Sequence, residues 1–120
     1  MTDKQTTGQN GEMLARQFLS DKGYTILDSN WTSGHLEVDI IALHENTLVF
    51  VEVKTRSSSK FGTPEMAVTL QKQRNLVRAA NSYVLRNHYT YEVRFDIISV
   101  IQSSQGPIIE HLPDAFSPKW

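Results

Sequence analysis

The 120-residue sequence contains no cysteine, which excludes disulfide bonds and thiolate metal sites. It has no apolar run long enough to span a membrane, and residues 1–23 lack the hydrophobic segment of a secretory signal. The histidines lack zinc-site spacing, and no Walker loop, dinucleotide glycine pattern or nucleophile elbow occurs. The length and 39% hydrophobic content instead predict one domain over residues 1–120, and the absence of cysteine favours a cytoplasmic location.

The net charge is only −1, but charge is unevenly distributed along the chain. Residues 1–53 carry three basic and eight acidic side chains, whereas residues 54–94 carry eight basic and two acidic ones. A basic segment of this kind suits a polyanion such as nucleic acid. The alternative is a helix whose arginines simply face solvent, which is the commoner case for a single helix.

The most informative stretch is residues 36–54, in which two runs rich in β-branched residues flank a short polar turn. This pattern predicts an antiparallel hairpin. A two-residue or symmetric four-residue turn places Asp39 directly across from Glu52, whereas a three- or five-residue turn breaks that register. Because side chains alternate along a strand, Val38 and Ile40 are expected on the opposite face of the hairpin from Asp39.

Two carboxylates held side by side in a partly dry sheet need a shared proton or a cation. Oxygen ligands suit a hard cation such as Mg²⁺ (or Mn²⁺), and Lys54 would add a positive charge beside it. Such a group of residues is suited to phosphodiester cleavage. The alternative is that Glu37 and Lys54 form an ordinary ion pair across the strands, with Asp39 and Glu52 at a wet sheet end.

The rest of the chain predicts further helices and strands. The expected helices cover 11–22, 64–68 and 70–86, and the expected strands cover 24–31, 91–101 and 107–110. A loop over 8–11 precedes the first helix, and residues 1–8 and 113–120 are expected to be loosely ordered tails. The strand over 91–101 follows a helix and should therefore join a hairpin strand in parallel through a right-handed crossover.

Polar and basic residues cluster at the start of the helix over 70–86, where free N–H groups favour anions. The candidate nucleic-acid contacts there and in the preceding loop are Arg56, Lys60, Gln71, Lys72, Arg74 and Arg78. A solvated helix start is the alternative. Glu12 lies in the first turn of the first predicted helix, and its spacing alone favours a role in compensating the helix dipole.

Asp39 followed after twelve residues by Glu52-x-Lys54, in a hairpin preceded by a glutamate-bearing helix, resembles the PD-(D/E)xK restriction-endonuclease-like nucleases. Within them the chain most closely resembles the bacterial YraN family, which is related in fold to archaeal Holliday-junction resolvases. The matching stretches are Gly11-Glu12, Gly23-Tyr24, Asn30-Trp31, Glu37 to Ala42, Phe50 to Arg56, Phe61-Gly62, Ala67-Val68, Lys72, Ala80 and Arg94 to Asp96. The family usually has glycine immediately before the first of these strand glutamates, where this chain has Leu36.

The resemblance implies an α/β fold with an αβββαβ core, in which helices flank a mixed sheet. It implies that Asp39, Glu52 and the Val53 carbonyl bind the metal. Lys54 would orient the attacking water or stabilise the phosphorane charge, and Glu12 would reach the site from the first helix.

Three functions remain open on the sequence. The first is a metal-dependent DNA nuclease, with branched or recombination-intermediate DNA as a candidate substrate and a homodimer as a candidate assembly. The second is a nucleic-acid-binding module that keeps the fold without cleavage. The third is a scaffold in a DNA-processing complex, in which the acids are structural.

Overall fold

The computed structural model describes residues 3–56 and 68–117, with side chains from residue 10 onward. The elements in chain order are α1 (Asp3–Asp21), β1 (Thr25–Ser33), β2 (Leu36–His44), β3 (Thr47–Arg56), α2 (Leu70–Asn87), β4 (Glu92–Ile101) and β5 (Ile108–Phe116). The strands form one sheet in the order β1-β2-β3-β4-β5, with β3 and β4 parallel and the other neighbours antiparallel. The predicted α/β class and mixed sheet are confirmed. In the described part of the chain, no helix is long and apolar enough to cross a membrane.

The β2–β3 hairpin has the two-residue turn that the sequence favours. Glu45 and Asn46 both adopt left-handed backbone angles, with φ of 50° and 64°. A turn with both residues at positive φ matches the twist of the flanking strands. Pairing then continues without a shift as far as Ile40 and Val51. The predicted register is therefore confirmed along the paired part of the hairpin.

The sheet is apolar on both faces because a helix covers each face. On the α2 side, Phe50 packs with Leu76 and Tyr83. On the α1 side, Leu19 packs in a cluster with Ile40, Ala42, Val49, Val51, Ile98 and Val100. Val38 is an exception to the prediction, because it joins the α2-side cluster while Ile40 joins the other. The alternation of side chains is thus shifted beside Asp39.

The start of α1 corrects the prediction of a loop over residues 8–11, and of the tail expected over residues 1–8 the described part is helical from Asp3. The helix begins at Asp3 and continues through this glycine-containing stretch. Gly11 is buried where α1 approaches β3, and a Cβ at this position would clash with Thr55 Oγ1. The glycine that suggests a loop instead permits close helix–sheet packing.

The C-terminal strand is also longer than predicted, since β5 extends to Phe116 instead of ending at residue 110. The tail predicted over 113–120 is therefore wrong for its first four residues. Pro113 is tolerated because β5 lies at the edge of the sheet. Asp114 adopts a left-handed φ of 52° and donates its N–H to the Asp96 carboxylate, while Phe116 stacks on Phe95 at 5.1 Å between ring centroids. A local irregularity thus lets the strand resume its pairing.

In the crossover between β3 and β4, the predicted helix and the predicted parallel strand are both present. Helix α2 begins after Thr69, whose side-chain oxygen accepts the Lys72 N–H at 3.2 Å. The strand that follows is parallel to β3, as predicted. The helical turn predicted over 64–68 lies outside the described residues except for Val68, which is buried.

Candidate functional site

The two predicted carboxylates meet where β2 and β3 separate. Strand pairing ends at Ile40 and Val51, and beyond it Asp39 Oδ2 accepts the Val53 N–H at 2.8 Å. A side-chain oxygen therefore occupies the place of a strand carbonyl, which puts the Asp39 carboxylate between the two strands. Glu52 lies beside it, and the two residues are only 7% and 4% exposed.

The environment opposes ionisation of both carboxyl groups. Burial raises the pKa of Glu52 to about 7, and the negative charge of Asp39 contributes to the rise. Burial also raises the pKa of Asp39, although the Val53 N–H and the ammonium of Lys72 counteract it. Near neutral pH the pair therefore retains a proton for part of the time, and a cation could take the place of that proton.

The two oxygens of Glu52 have different surroundings. Oε1 lies 3.6 Å from Lys54 Nζ and 3.7 Å from Lys72 Nζ. Oε2 is buried and has no hydrogen-bond partner within residues 3–56 and 68–117. The Glu52 and Asp39 carboxyl groups can share a hydrogen bond when one of them is protonated. A buried carboxylate oxygen without a partner is costly, so Oε2 needs either that shared proton or a cation.

The oxygen ligands available at the site fit a hard cation if the backbone contributes a carbonyl oxygen. Among the described residues, no three His, Asp or Glu side chains form a group that could hold a metal ion. Asp39 and Glu52 supply two carboxylates, and a third oxygen has to come from elsewhere. In a strand, one residue directs its N–H and its C=O toward the same neighbour. Because the Val53 N–H meets Asp39, the Val53 carbonyl faces the same gap.

Glu12 approaches the pair from the α1 side of the sheet. Its pKa is raised by burial and by the negative charge of Asp39, while a hydrogen bond from Asn30 and the positive charge of Arg16 lower it. Asn30 was missed by the sequence reasoning. Asn30 has a left-handed φ of 52°. Its neighbours Ser29 and Trp31 pair with Ile40 and Val38 of β2, so Asn30 lies opposite Asp39 on the adjacent strand. An asparagine within a predicted strand is a signal that would have identified it.

Lys54 and Lys72 both reach the acids, although only Lys54 was predicted to do so. Lys54 lies beside Glu52 and not beside the exposed Glu37 with which the alternative interpretation paired it. Lys72 comes from the first turn of α2, so the predicted nucleic-acid residue lies within the acid site itself. Leu36, where the sequence resemblance leads us to expect glycine, packs against the α2-side core.

The remaining candidate nucleic-acid residues are more dispersed. Arg74 and Arg78 are exposed on α2, and the exposed Gln71 donates a side-chain hydrogen bond to Asn75 at 3.1 Å. Arg56 is mostly buried, with its Nη2 atom 3.9 Å from Glu110 Oε2 on β5. Lys60 lies outside the described residues. The structure therefore brings Lys72 to the carboxylates, leaves two arginines on the outer face of the helix and directs Arg56 toward the edge strand.

A third buried carboxylate, Asp96, belongs to a structural network that the sequence reasoning missed. Its oxygens accept from Arg94 at 2.8 and 2.9 Å, from the Asp114 N–H at 3.0 Å, and lie 2.7 Å from His111 Nε2. Burial opposes ionisation, but the hydrogen bonds from His111 and Arg94 outweigh it, and the pKa of Asp96 is lowered. The carboxylate thereby joins β4 to β5.

Comparison with known proteins gives a consistent family assignment. Residues 11–100 match the model of the uncharacterised protein family UPF0102. A UPF0102 protein of Flavobacterium psychrophilum is 49% identical over 116 residues, covering 97% of this chain and 98% of the relative. Relatives from Bacteroides thetaiotaomicron (45% over 118 residues, 98% of each chain) and Caldanaerobacter subterraneus subsp. tengcongensis (43% over 118 residues, 95% and 97%) carry the same family name. The chain therefore belongs to family UPF0102, the YraN family of the predicted resemblance.

Proposed function

We propose that this protein is a metal-dependent nuclease that hydrolyses DNA phosphodiester bonds, with Mg²⁺ or Mn²⁺ as the cation. The observation that carries the proposal is the buried pair of Asp39 and Glu52, in which one glutamate oxygen has no partner among the described residues. Two desolvated acids at the open end of a hairpin are unfavourable for a purely structural role. A divalent cation would relieve both the repulsion and the desolvation.

The residues of the site have separable roles. Asp39, Glu52 and the Val53 carbonyl would hold the cation, which supplies charge neutralisation and a more acidic bound water. Lys54, whose Nζ lies 3.6 Å from Glu52 Oε1, would orient the water or stabilise the charge that develops on the phosphate. Glu12, whose pKa is raised by burial and by the charge of Asp39, would accept or donate a proton at the α1 side of the site.

The test combines metal binding with cleavage. Asp39→Asn and Glu52→Gln should abolish Mn²⁺ binding measured by calorimetry, and should abolish Mg²⁺-dependent cleavage of linear and four-way-junction DNA. Both variants should remain folded, because each removes a charge that burial disfavours. Glu92→Gln, the same chemical change at an exposed position on β4, serves as the control and should retain both properties. Full Mn²⁺ binding and cleavage by both site variants would refute the proposal.

One observation favours a second candidate, a nucleic-acid-binding or scaffold protein without cleavage. Lys54 and Lys72 already place two positive charges near Glu52, so the site has counter-ions of its own. In that case DNA or partner binding should be independent of divalent cations, and the wild-type protein should bind no Mn²⁺ at the acids. The calorimetric titration in the previous experiment therefore also distinguishes the two candidates.

A further inference from the structure

Lys72 differs from the other basic residues of α2 in where its charge lies. Its ammonium and that of Lys54 come from different elements and approach the same oxygen, Glu52 Oε1. Both distances, 3.6 and 3.7 Å, exceed those of a charge-assisted hydrogen bond, which are about 2.7–2.9 Å. The side chains are 39% and 35% exposed, and each ammonium has three donors. Both lysines thus keep donors for another anion.

The N-terminal turn of α2 adds to this positive region. Thr69 caps the helix by accepting the Lys72 N–H, and the first turn contains no acidic residue that would neutralise the positive helix end. A second observation at the same place indicates a ligand. Glu52 is 4% exposed and its Oε2 atom has no partner among the described residues, so this carboxylate has one oxygen beside the lysines and one left for a cation.

Charge balance then gives the lysines a second role. When both are ionised and no other ion is present, Asp39 and Glu52 together neutralise Lys54 and Lys72. A divalent cation at the acids would leave the group with a net charge of about +2, because the carboxylates would then interact with the cation. The two ammonium groups would no longer be required by Glu52 and would be available to an incoming anion.

We infer that Lys72 is a phosphate-binding residue of the reaction centre. Its ammonium group leaves Glu52 and binds the phosphodiester group that is to be cleaved. The inference rests on the proposed function and deepens it. Lys72 and Lys54 contact the phosphodiester group at the acids, whereas Arg74 and Arg78, on the exposed part of α2, contact the DNA backbone farther away. The substrate is thereby held by a residue outside the Glu52-x-Lys54 pair.

The exchange can be tested without cleavage and without metal. In EDTA, Glu52→Gln frees the lysines, so it should bind a short DNA duplex about 3–8-fold more tightly than wild type at 0.1 M salt. The salt dependence of binding should steepen by about 0.9 for each new phosphate contact. Adding Lys72→Gln to Glu52→Gln should remove this gain, while Lys72→Arg should preserve it because the charge is kept.

The matched control is Lys22→Gln in the Glu52→Gln background. It removes the same charge by the same replacement, but Lys22 contacts His111 and Phe18 at the far end of α1. If the gain depended on net charge alone, both double variants would lose it equally, and the inference would be overturned. It would also be overturned if Glu52→Gln with Lys72→Gln bound as tightly as Glu52→Gln. Thermal unfolding of each variant establishes that the comparison is between folded proteins.

A cleavage assay separates this inference from the proposed function. With Mg²⁺, Lys72→Gln should lower single-turnover cleavage roughly 10²-fold, as expected for loss of one group that stabilises transition-state charge. If the wild-type protein cleaves no DNA with Mg²⁺ or Mn²⁺, the proposed function fails. The EDTA binding series still decides whether Lys72 exchanges Glu52 for phosphate.

Discussion

Neutralising Glu52 should stabilise the metal-free protein at alkaline pH. Burial raises the pKa of this carboxyl group to about 7, compared with an ordinary value of 4.5. The folded state therefore holds the proton more tightly than the unfolded state does. Tighter proton binding by Glu52 stabilises the folded state in full below pH 4.5, and this stabilisation is lost as the pH rises through 7. At 1.36 kcal/mol per pH unit, the loss amounts to about 3 kcal/mol above pH 8.

Urea denaturation in EDTA between pH 5 and 8.5 measures this effect. Wild type should lose about 2–3 kcal/mol of unfolding free energy across this range relative to Glu52→Gln, which carries no titrating group at this position, because a small part of the loss already occurs below pH 5. The difference between the two proteins cancels the contributions of groups remote from the site, and it reports Glu52 together with Asp39 because these two carboxyl groups interact. Glu92→Gln, at an exposed position, should follow the wild-type profile.

Two results would contradict this reasoning. If Glu52→Gln and wild type had parallel pH profiles, the carboxyl group would be ionised at little cost in the folded state. If Glu52→Gln were less stable than wild type at pH 8, the contacts with Lys54 and Lys72 would exceed the cost of burial. Mn²⁺ added to wild type at pH 8 should restore stability, because it binds the folded state preferentially.

Two further predictions concern the framework around the site. Gly11→Ala should lower the free energy of unfolding, measured by urea denaturation, by about 1–2 kcal/mol because the added methyl group meets Thr55 Oγ1. In a Thr55→Ala background the same change should be neutral or stabilising. A loss of stability that persists in that background would contradict the packing argument. Asp96→Asn should lower the free energy of unfolding, measured in the same way, by about 3–5 kcal/mol because it leaves Arg94 without its buried partner and weakens the contact with His111. A loss under about 1 kcal/mol would show that apolar contacts hold β5 instead.

The sequence predicted the features that depend on neighbouring residues. The hairpin register follows from a two-residue turn and a period-two pattern, both contained within residues 36–54. The same locality applies to the start of α2, because its cap Thr69 lies directly before the helix predicted from residue 70. Asp39 and Glu52 were identified as a pair because their positions relative to the turn fix their alignment.

Features that depend on distant contacts could not be predicted in this way. Lys72 reaches Glu52 only because α2 packs across the sheet, and nothing in its own segment distinguishes it from Arg74. Residues after Pro113 look like a tail until the buried carboxylate of Asp96 is known to accept the Asp114 N–H. In each case the missing information is a contact between segments that are far apart in sequence.

The hairpin also explains why a site can exist at this end of the sheet. Pairing is tight beside the turn and stops after Ile40 and Val51, so the backbone groups of β3 beyond that point need other partners. The Asp39 carboxylate satisfies the Val53 N–H, and this contact fixes the carboxylate within the gap between the strands. A continuous ladder would have satisfied the backbone and closed the gap. The early end of pairing therefore leaves a space lined by oxygen atoms, and Glu52 extends the same lining with a buried oxygen that has no hydrogen-bond partner among the described residues.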